Sequence, residues 1–170
     1  DDLGAEGGSG QRPVFHPLRV RSVEPLTADS TVVTFDVPAD LAHEYRYVQG
    51  QHVTLRAVVD GTEVRRSYSI ISPVSEGTLR VAVKRIEGGV FSGYVNDALA
   101  AGDILDVMSP TGRFQTELDP AQARSYVAVV AGSGITPVMS IVATTLEEEP
   151  GSRFTLVYGN RTSGSTMFAA

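Results

Sequence analysis

The sequence contains no cysteine. That excludes disulfides, thiolate zinc sites and thiolate-ligated iron–sulfur clusters from this stretch of chain. Clustered basic residues are also missing: 14 Lys and Arg against 20 Asp and Glu leave a formal charge of −6. That sign does not suit a phosphate backbone, so no nucleic-acid partner is expected. No apolar run approaches the roughly 18 residues that span a bilayer, and the first residues lack the basic start and apolar stretch of a signal peptide. The expectation is a cytoplasmic protein with no membrane partner. Beyond a glycine-rich opening there is no low-complexity run, and 42% apolar with 20% charged residues is the composition of a folded domain. Residues 1–14 are expected to be a flexible leader.

What is present falls into two grammars. From residue 15 to about residue 119, short β-branched runs alternate with turn residues, which predicts antiparallel strands over residues 18–23, 30–36, 52–59, 63–71, 79–86 and 104–108. Asp60-Gly61 is a hairpin signal, since both residues tolerate positive φ. A helix is expected over residues 92–100, with Ser92 as N-cap and Gly102 closing it. From about residue 120 the pattern changes to a continuous apolar run (125–131), a glycine-rich turn, a helix over 136–148 and a second apolar strand over 153–158. Continuous apolar runs predict a parallel sheet buried on both faces. The fold class is therefore a six-stranded antiparallel Greek-key β-barrel followed by the first βαβ unit of an α/β nucleotide-binding domain. One crossover falls short of the about five or six strands of a complete doubly wound domain, so residues 120–170 read as a truncated domain.

Three clusters carry chemistry. In Arg66-Ser67-Tyr68-Ser69, strand alternation puts Arg66 and Tyr68 on one face and the two serines on the other; read alone, this is also an ordinary half-exposed hairpin strand. Gly88-Gly89-Val90-Phe91-Ser92 leads into a helix whose unpaired amides and dipole favour a phosphate, though it serves equally as a capped turn. Gly132-Ser133-Gly134-Ile135-Thr136-Pro137 joins strand to helix where parallel sheets bind pyrophosphates, but lacks the third glycine of the dinucleotide fingerprint. Arg161, after the second strand at the same sheet edge, suits a phosphate or a ribose as well as plain solvent.

The order of these clusters is more specific than any one of them. An R-x-Y-S strand, a G-G-x-x-S helix start, a P-T-G-x-F segment (Pro110 to Phe114), a G-x-G-I-T-P turn and a Y-G-x-R strand end resemble the ferredoxin-NADP reductase family, in detail its oxygenase reductases, from residue 15 onward. The resemblance implies that Arg66 pairs with the diphosphate of FAD, Tyr68 packs on the isoalloxazine ring, and Ser69 bonds near the reactive N5 edge, with Ser67 beside them. It implies Val83 and Lys84 along the ribityl and diphosphate chain, and Gly89, Val90, Phe91 and Ser92 around the diphosphate. Thr136 would stand where nicotinamide meets flavin, with Gly132 and Gly134 lining the pocket and Arg161 on the nucleotide side. Tyr68, Ser69 and Thr136 are thus the expected catalytic residues. Ile71 stands where many relatives carry cysteine, and Ser109 where glycine often precedes P-T-G-x-F.

The implied reaction of a full-length relative is hydride transfer from NAD(P)H to FAD, then single-electron transfer through a plant-type iron–sulfur centre to an oxygenase or ferredoxin-type acceptor. Without cysteine that centre cannot lie in this chain. FMN in place of FAD, a flavin-binding module with no turnover of its own, and a β-barrel interaction domain without flavin remain the alternatives. An incomplete sheet exposes strand edges, so self-association through residues 127–130 and 154–157 is expected.

Overall fold

The computed structural model describes residues 14–169. All but the last residue of the expected leader therefore lies outside the described residues. Six antiparallel strands come first: β1 (Phe15–Thr27), β2 (Ser30–Asp36), β3 (His52–Val59), β4 (Thr62–Ser69), β5 (Arg80–Lys84) and β6 (Ile104–Met108). They hydrogen-bond in the order β4-β3-β6-β1-β2-β5. A bridge between Ile70 and Val81 joins the two end strands, so the sheet curls round on itself. Inward alternation fills the interior with Leu18, Val20, Val33, Phe35, Val53, Leu55, Leu105 and Val107, each almost wholly shielded from solvent. Burying such a side chain contributes about 1.5–3 kcal/mol, and this shared core is what holds the barrel. Asp60 (φ 48°) and Gly61 (φ 77°) form the β3–β4 turn with both central residues at positive φ, as a two-residue hairpin of the strand's own twist requires.

Helix α1 (Val90–Asp97) plugs one end of the barrel with Phe91 and Val95. Its start corrects the sequence expectation. Gly89 is the N-cap, and Ser92 lies inside the first turn, where its hydroxyl accepts from the Ile86 amide (3.0 Å) and donates to the Gly89 carbonyl (3.3 Å). Ser92 therefore knits the preceding loop to the helix rather than opening the helix. Gly102 (φ 98°) shapes the turn into β6 and its amide donates to the Val20 carbonyl; the helix has already ended at Ala98.

Strand β7 (Ser125–Ala131), helix α2 (Ile135–Glu148) and strand β8 (Arg153–Gly159) form a β-α-β unit in which β7 and β8 pair in parallel. Here too an expectation fails in part: this sheet is covered on one face only. Ala128 and Val130 pack toward α2, whereas Val127 and Val129 are 68% and 76% exposed. A second cluster, Ile71 and Ala82 from the barrel with Ile135, Val138 and Met167, joins the two halves.

Candidate functional site

The end of β4 is built by its register with β3. Arg66 lies opposite Leu55 and Tyr68 opposite Val53, so both share the face that turns toward the core, while Ser67 and Ser69 lie opposite Thr54 and His52 on the other. Tyr68 packs against Phe91, ring centroids 5.9 Å apart. Burial pushes its phenol up to about 12, against a smaller opposing pull from Arg66. The ring therefore stays protonated at neutral pH and offers an uncharged aromatic surface. Ser67 shares a hydrogen bond with Thr54 across the strand pair (2.9 Å). Arg66 is exposed, and its guanidinium donates to the Arg65 carbonyl at 2.6 Å.

Two of the sequence clusters meet at this point. A cavity of about 300 Å³ is lined by Ser67, Tyr68 and Ser69 from β4, by Lys84 to Ile86, and by Ser133 and Thr136 from the turn into α2. Thr136 is nearly buried and its hydroxyl donates to the Ser133 carbonyl (3.0 Å). Arg66 is not part of this lining.

A second cavity, about 610 Å³, opens beside the start of α1 between the hairpin tip at Val59 and Asp60 and the residues Arg85 to Val90, Gly93 and Tyr94. The two glycines of this turn are required for different reasons. Gly88 sits at φ 68° with open space around it, whereas a Cβ on Gly89 would lie 2.6 Å from the Ser92 hydroxyl and 3.0 Å from Ile86. Phe91 and Ser92 point inward and are buried, so what this turn can offer a ligand is the amides of the first helical residues, which no helix can satisfy internally.

The third cavity, about 720 Å³, runs along the carboxyl ends of β7 and β8, lined by Gly132, Ser133, Asn160 and Arg161 with Asp29, Lys84 and Arg85 facing them from the barrel. Gly132 is at φ 52°, and Tyr158 donates to its carbonyl (3.0 Å). Gly134 is different: its φ of −61° is ordinary and nothing stands within 4 Å of a Cβ there. Neither conformation nor packing demands glycine at that position, which leaves room for close approach by a ligand. Lys84 donates to the Ser165 carbonyl (2.8 Å) and pairs with Asp29 (3.3 Å), whose carboxyl is held below its ordinary range by the Thr27 hydroxyl first and by Lys84 next. Val83 is fully buried and its carbonyl accepts from Asn96, so its side chain can touch no cofactor.

Arg85 was missed from the sequence. It lines all three cavities and is held in two hydrogen bonds by Asp97 at the far end of α1. Its place between Lys84 and the Gly88-Gly89 turn was the available signal; the pairing with Asp97 exists only once the helix folds back.

A barrel with an R-x-Y-S strand facing a strand-turn-helix pocket defines a flavin and nicotinamide oxidoreductase module. Residues 17–116 match the oxidoreductase FAD-binding domain and residues 129–170 the oxidoreductase NAD-binding domain, so the chain belongs to the ferredoxin reductase-like FAD-binding oxidoreductases. It is 50% identical over 154 residues to one of the subunits of the 1,2-phenylacetyl-CoA epoxidase of Escherichia coli (strain K12), covering 91% of this chain and 43% of that protein. It is 39% identical over 163 residues to the ferredoxin reductase component of 3-ketosteroid-9-alpha-monooxygenase of Rhodococcus rhodochrous, covering 94% and 44%. Among solved structures it is similar to the Amycolatopsis cytochrome P450 reductase GcoB (TM-score 0.76, 28% identity, covering 91% of this chain and 46% of that one). It is also similar to phthalate dioxygenase reductase, described as a modular structure for electron transfer from pyridine nucleotides to [2Fe-2S] (TM-score 0.68, 28% identity, 91% and 46%). The chain thus spans less than half the length of these relatives. Among the described residues no helix is long and apolar enough to cross a membrane.

Proposed function

We propose that this chain is the cofactor-binding part of an FAD-dependent NAD(P)H reductase that passes electrons to an iron–sulfur centre and an oxygenase partner. Residues 15–119 are its flavin domain and residues 120–170 the part of its nicotinamide domain carried here. The observation that carries the reading is the single cavity shared by Ser67, Tyr68, Ser69, Ser133 and Thr136, which join from opposite halves of the chain. FAD would supply the conversion of a two-electron donor into single-electron steps. The protein's own part is placement. Tyr68 offers a neutral ring on which the flavin would stack, and Ser69 offers a hydroxyl that would serve it as donor or acceptor. The amides of Val90, Phe91 and Ser92 favour a diphosphate, with Gly89 and Lys84 fixing the turn and strand beside them. Arg66 is the cation we assign to that diphosphate from the β4 side. Gly132, Gly134 and Arg161 form the bed for the nicotinamide dinucleotide, and Thr136 limits its approach to the flavin.

An absorbance spectrum before and after anaerobic NADPH or NADH, with the released cofactor identified by mass, tests this. Bound FAD that bleaches supports the reductase. Bound FAD that stays oxidised supports the second reading, a flavin module without turnover, which the uncovered β7–β8 face favours; absence of flavin after reconstitution sinks both. The same face, with Val127, Val129 and Val157 exposed, also underlies our proposal that the chain self-associates in isolation. A clean monomer at high concentration in sedimentation overturns that part. A cytoplasmic location fits these partners.

A further inference from the structure

Helix α2 carries a line of buried hydroxyls. Thr136, Ser140 and Thr144 are spaced by four residues, so they lie on one face of the helix, and all three are buried. A helix face that packs on a core is ordinarily apolar, because a buried hydroxyl is costly unless it is paired. Here two of the pairs reach across to the segment that follows β4. The Ser140 hydroxyl donates to the Ser72 carbonyl (2.7 Å), and the Thr144 hydroxyl accepts from the Val74 amide (3.1 Å). At the exposed end of the same contact the Ser75 hydroxyl donates to the Glu147 carboxylate (2.7 Å). The segment is braced from the barrel side as well. The Ile70 and Ile71 amides donate to the Gln51 and Arg80 carbonyls, and the Tyr47 hydroxyl lies 2.9 Å from the Pro73 carbonyl and 3.1 Å from the Ser72 hydroxyl. A helix held by apolar side chains alone can slide, since that attraction is non-directional, whereas a hydrogen bond weakens steeply as its angle closes. The two buried pairs therefore fix where α2 sits along its own axis.

We propose that Ser140 and Thr144 are positioning residues that set the spacing between nicotinamide and flavin. The path from this seam to the site is short on both arms. Ser69 stands three residues before Ser72, and Thr136 stands one helical turn, about 6 Å, before Ser140. Ser69 and Thr136 line one cavity, and neither Ser140 nor Thr144 is part of that lining, so both act through Thr136 rather than on a cofactor. The seam thus closes a loop in which the flavin-facing end of β4 and the start of α2 are tied to each other just behind the place where they meet. Hydride transfer moves two electrons and one proton together from the nicotinamide C4 to the flavin N5, giving oxidised nicotinamide and reduced flavin. Its rate depends steeply on approach, and a remote change that misplaces the reacting groups by about 1 Å can cost about a hundred-fold. This inference rests on the reductase reading above and extends it to residues that reading does not need.

The test is stopped-flow reduction of the FAD-loaded chain by NADPH or NADH without oxygen, for wild type, Ser140→Ala, Thr144→Val and Thr144→Ser. Fluorescence titration gives the FAD affinity of each, and added NADP+ gives the long-wavelength charge-transfer band that reports nicotinamide stacked on flavin. Ser140→Ala and Thr144→Val should each lower the limiting rate by about ten-fold or more and weaken the band, while FAD affinity and the half-saturating nucleotide concentration stay within about two-fold. Thr144→Ser keeps the accepting oxygen and should hold the limiting rate within about two-fold of wild type. If Thr144→Val does not fold, Ser140→Ala decides alone, since it removes one atom from a helix that favours alanine. Limiting rate and FAD affinity falling together would mean that the seam only holds the fold, which overturns the inference. An unchanged rate and band overturn it too and leave the flavin reading intact. Wild type that holds FAD but is reduced by neither nucleotide overturns it in favour of the module without turnover, and a chain that holds no FAD overturns the reductase reading with it.

Discussion

The barrel and the β-α-β unit solve the same burial problem to different degrees. In the barrel every strand shows its apolar face to a common interior, and Phe35, Leu55, Val81 and Phe91 have at most 1% of their surface in contact with solvent. In β7 the residues alternate between half-buried and exposed, with Val127 and Val129 open although the sequence there is apolar on both faces. The lesson is that the flavin half supplies its own core, while the nucleotide half leans on the barrel through Ile71, Ala82 and Met167.

The largest effect should come from opening the barrel core. Phe35→Ala is expected to cost about 3–5 kcal/mol in chemical denaturation, since a large cavity is left in a site that cannot collapse. Met167→Ala comes next. It removes a fully buried side chain that bridges the halves, at about 2–5 kcal/mol by the same argument. It should raise amide exchange in α2 and β7 more than in the barrel strands; uniform acceleration would mean that the two halves are one cooperative unit.

A pH-dependent difference follows from Glu149, buried at the end of α2. Its carboxylate accepts from the Ser152 hydroxyl (2.7 Å), the Asp119 amide (3.1 Å), Tyr126 (2.9 Å) and Arg124 (3.1 Å), and these partners, Ser152 first, hold it below the usual carboxyl range. A lowered folded-state value means the contribution is complete above the unfolded carboxyl range and fades as pH falls through the folded value. Melting followed from pH 7 down to pH 3 should therefore show a steeper acid decline for wild type than for Glu149→Gln, centred on loss of the β7 and α2 region. Parallel curves would count against the network. The smallest effect is at Val129: its replacement by Thr should leave stability within about 0.5 kcal/mol while reducing concentration-dependent sedimentation.

Much of this was legible in the sequence where one physical signal dominated. Ser125–Ala131 and Ile104–Met108 follow from their apolar runs, and Asp60-Gly61 from the only backbone shape a two-residue hairpin accepts. The α1 start was misread because Ser92 carries the composition of an N-cap, whereas its hydroxyl is used three residues further in, on Ile86 and Gly89. The exposed face of β7 was not legible, since valine reads the same whether or not something covers it. Of the site, Tyr68, Ser69 and Thr136 line one cavity, Val83 is spent in the core, and the pairing of Arg85 with Asp97 exists only in the folded chain.

Gly50 carries a consequence for how the chain leaves the barrel. It sits at φ 81° with the Phe114 carbonyl oxygen only 1.8 Å from where a Cβ would be, and Gly112 closes on the His52 ring at 3.0 Å in the same way. The segment leaving the barrel toward the β-α-β unit is thus keyed into the barrel wall, like a tenon in its mortise. A joint with no slack sets where this segment leaves the barrel by carpentry rather than by search.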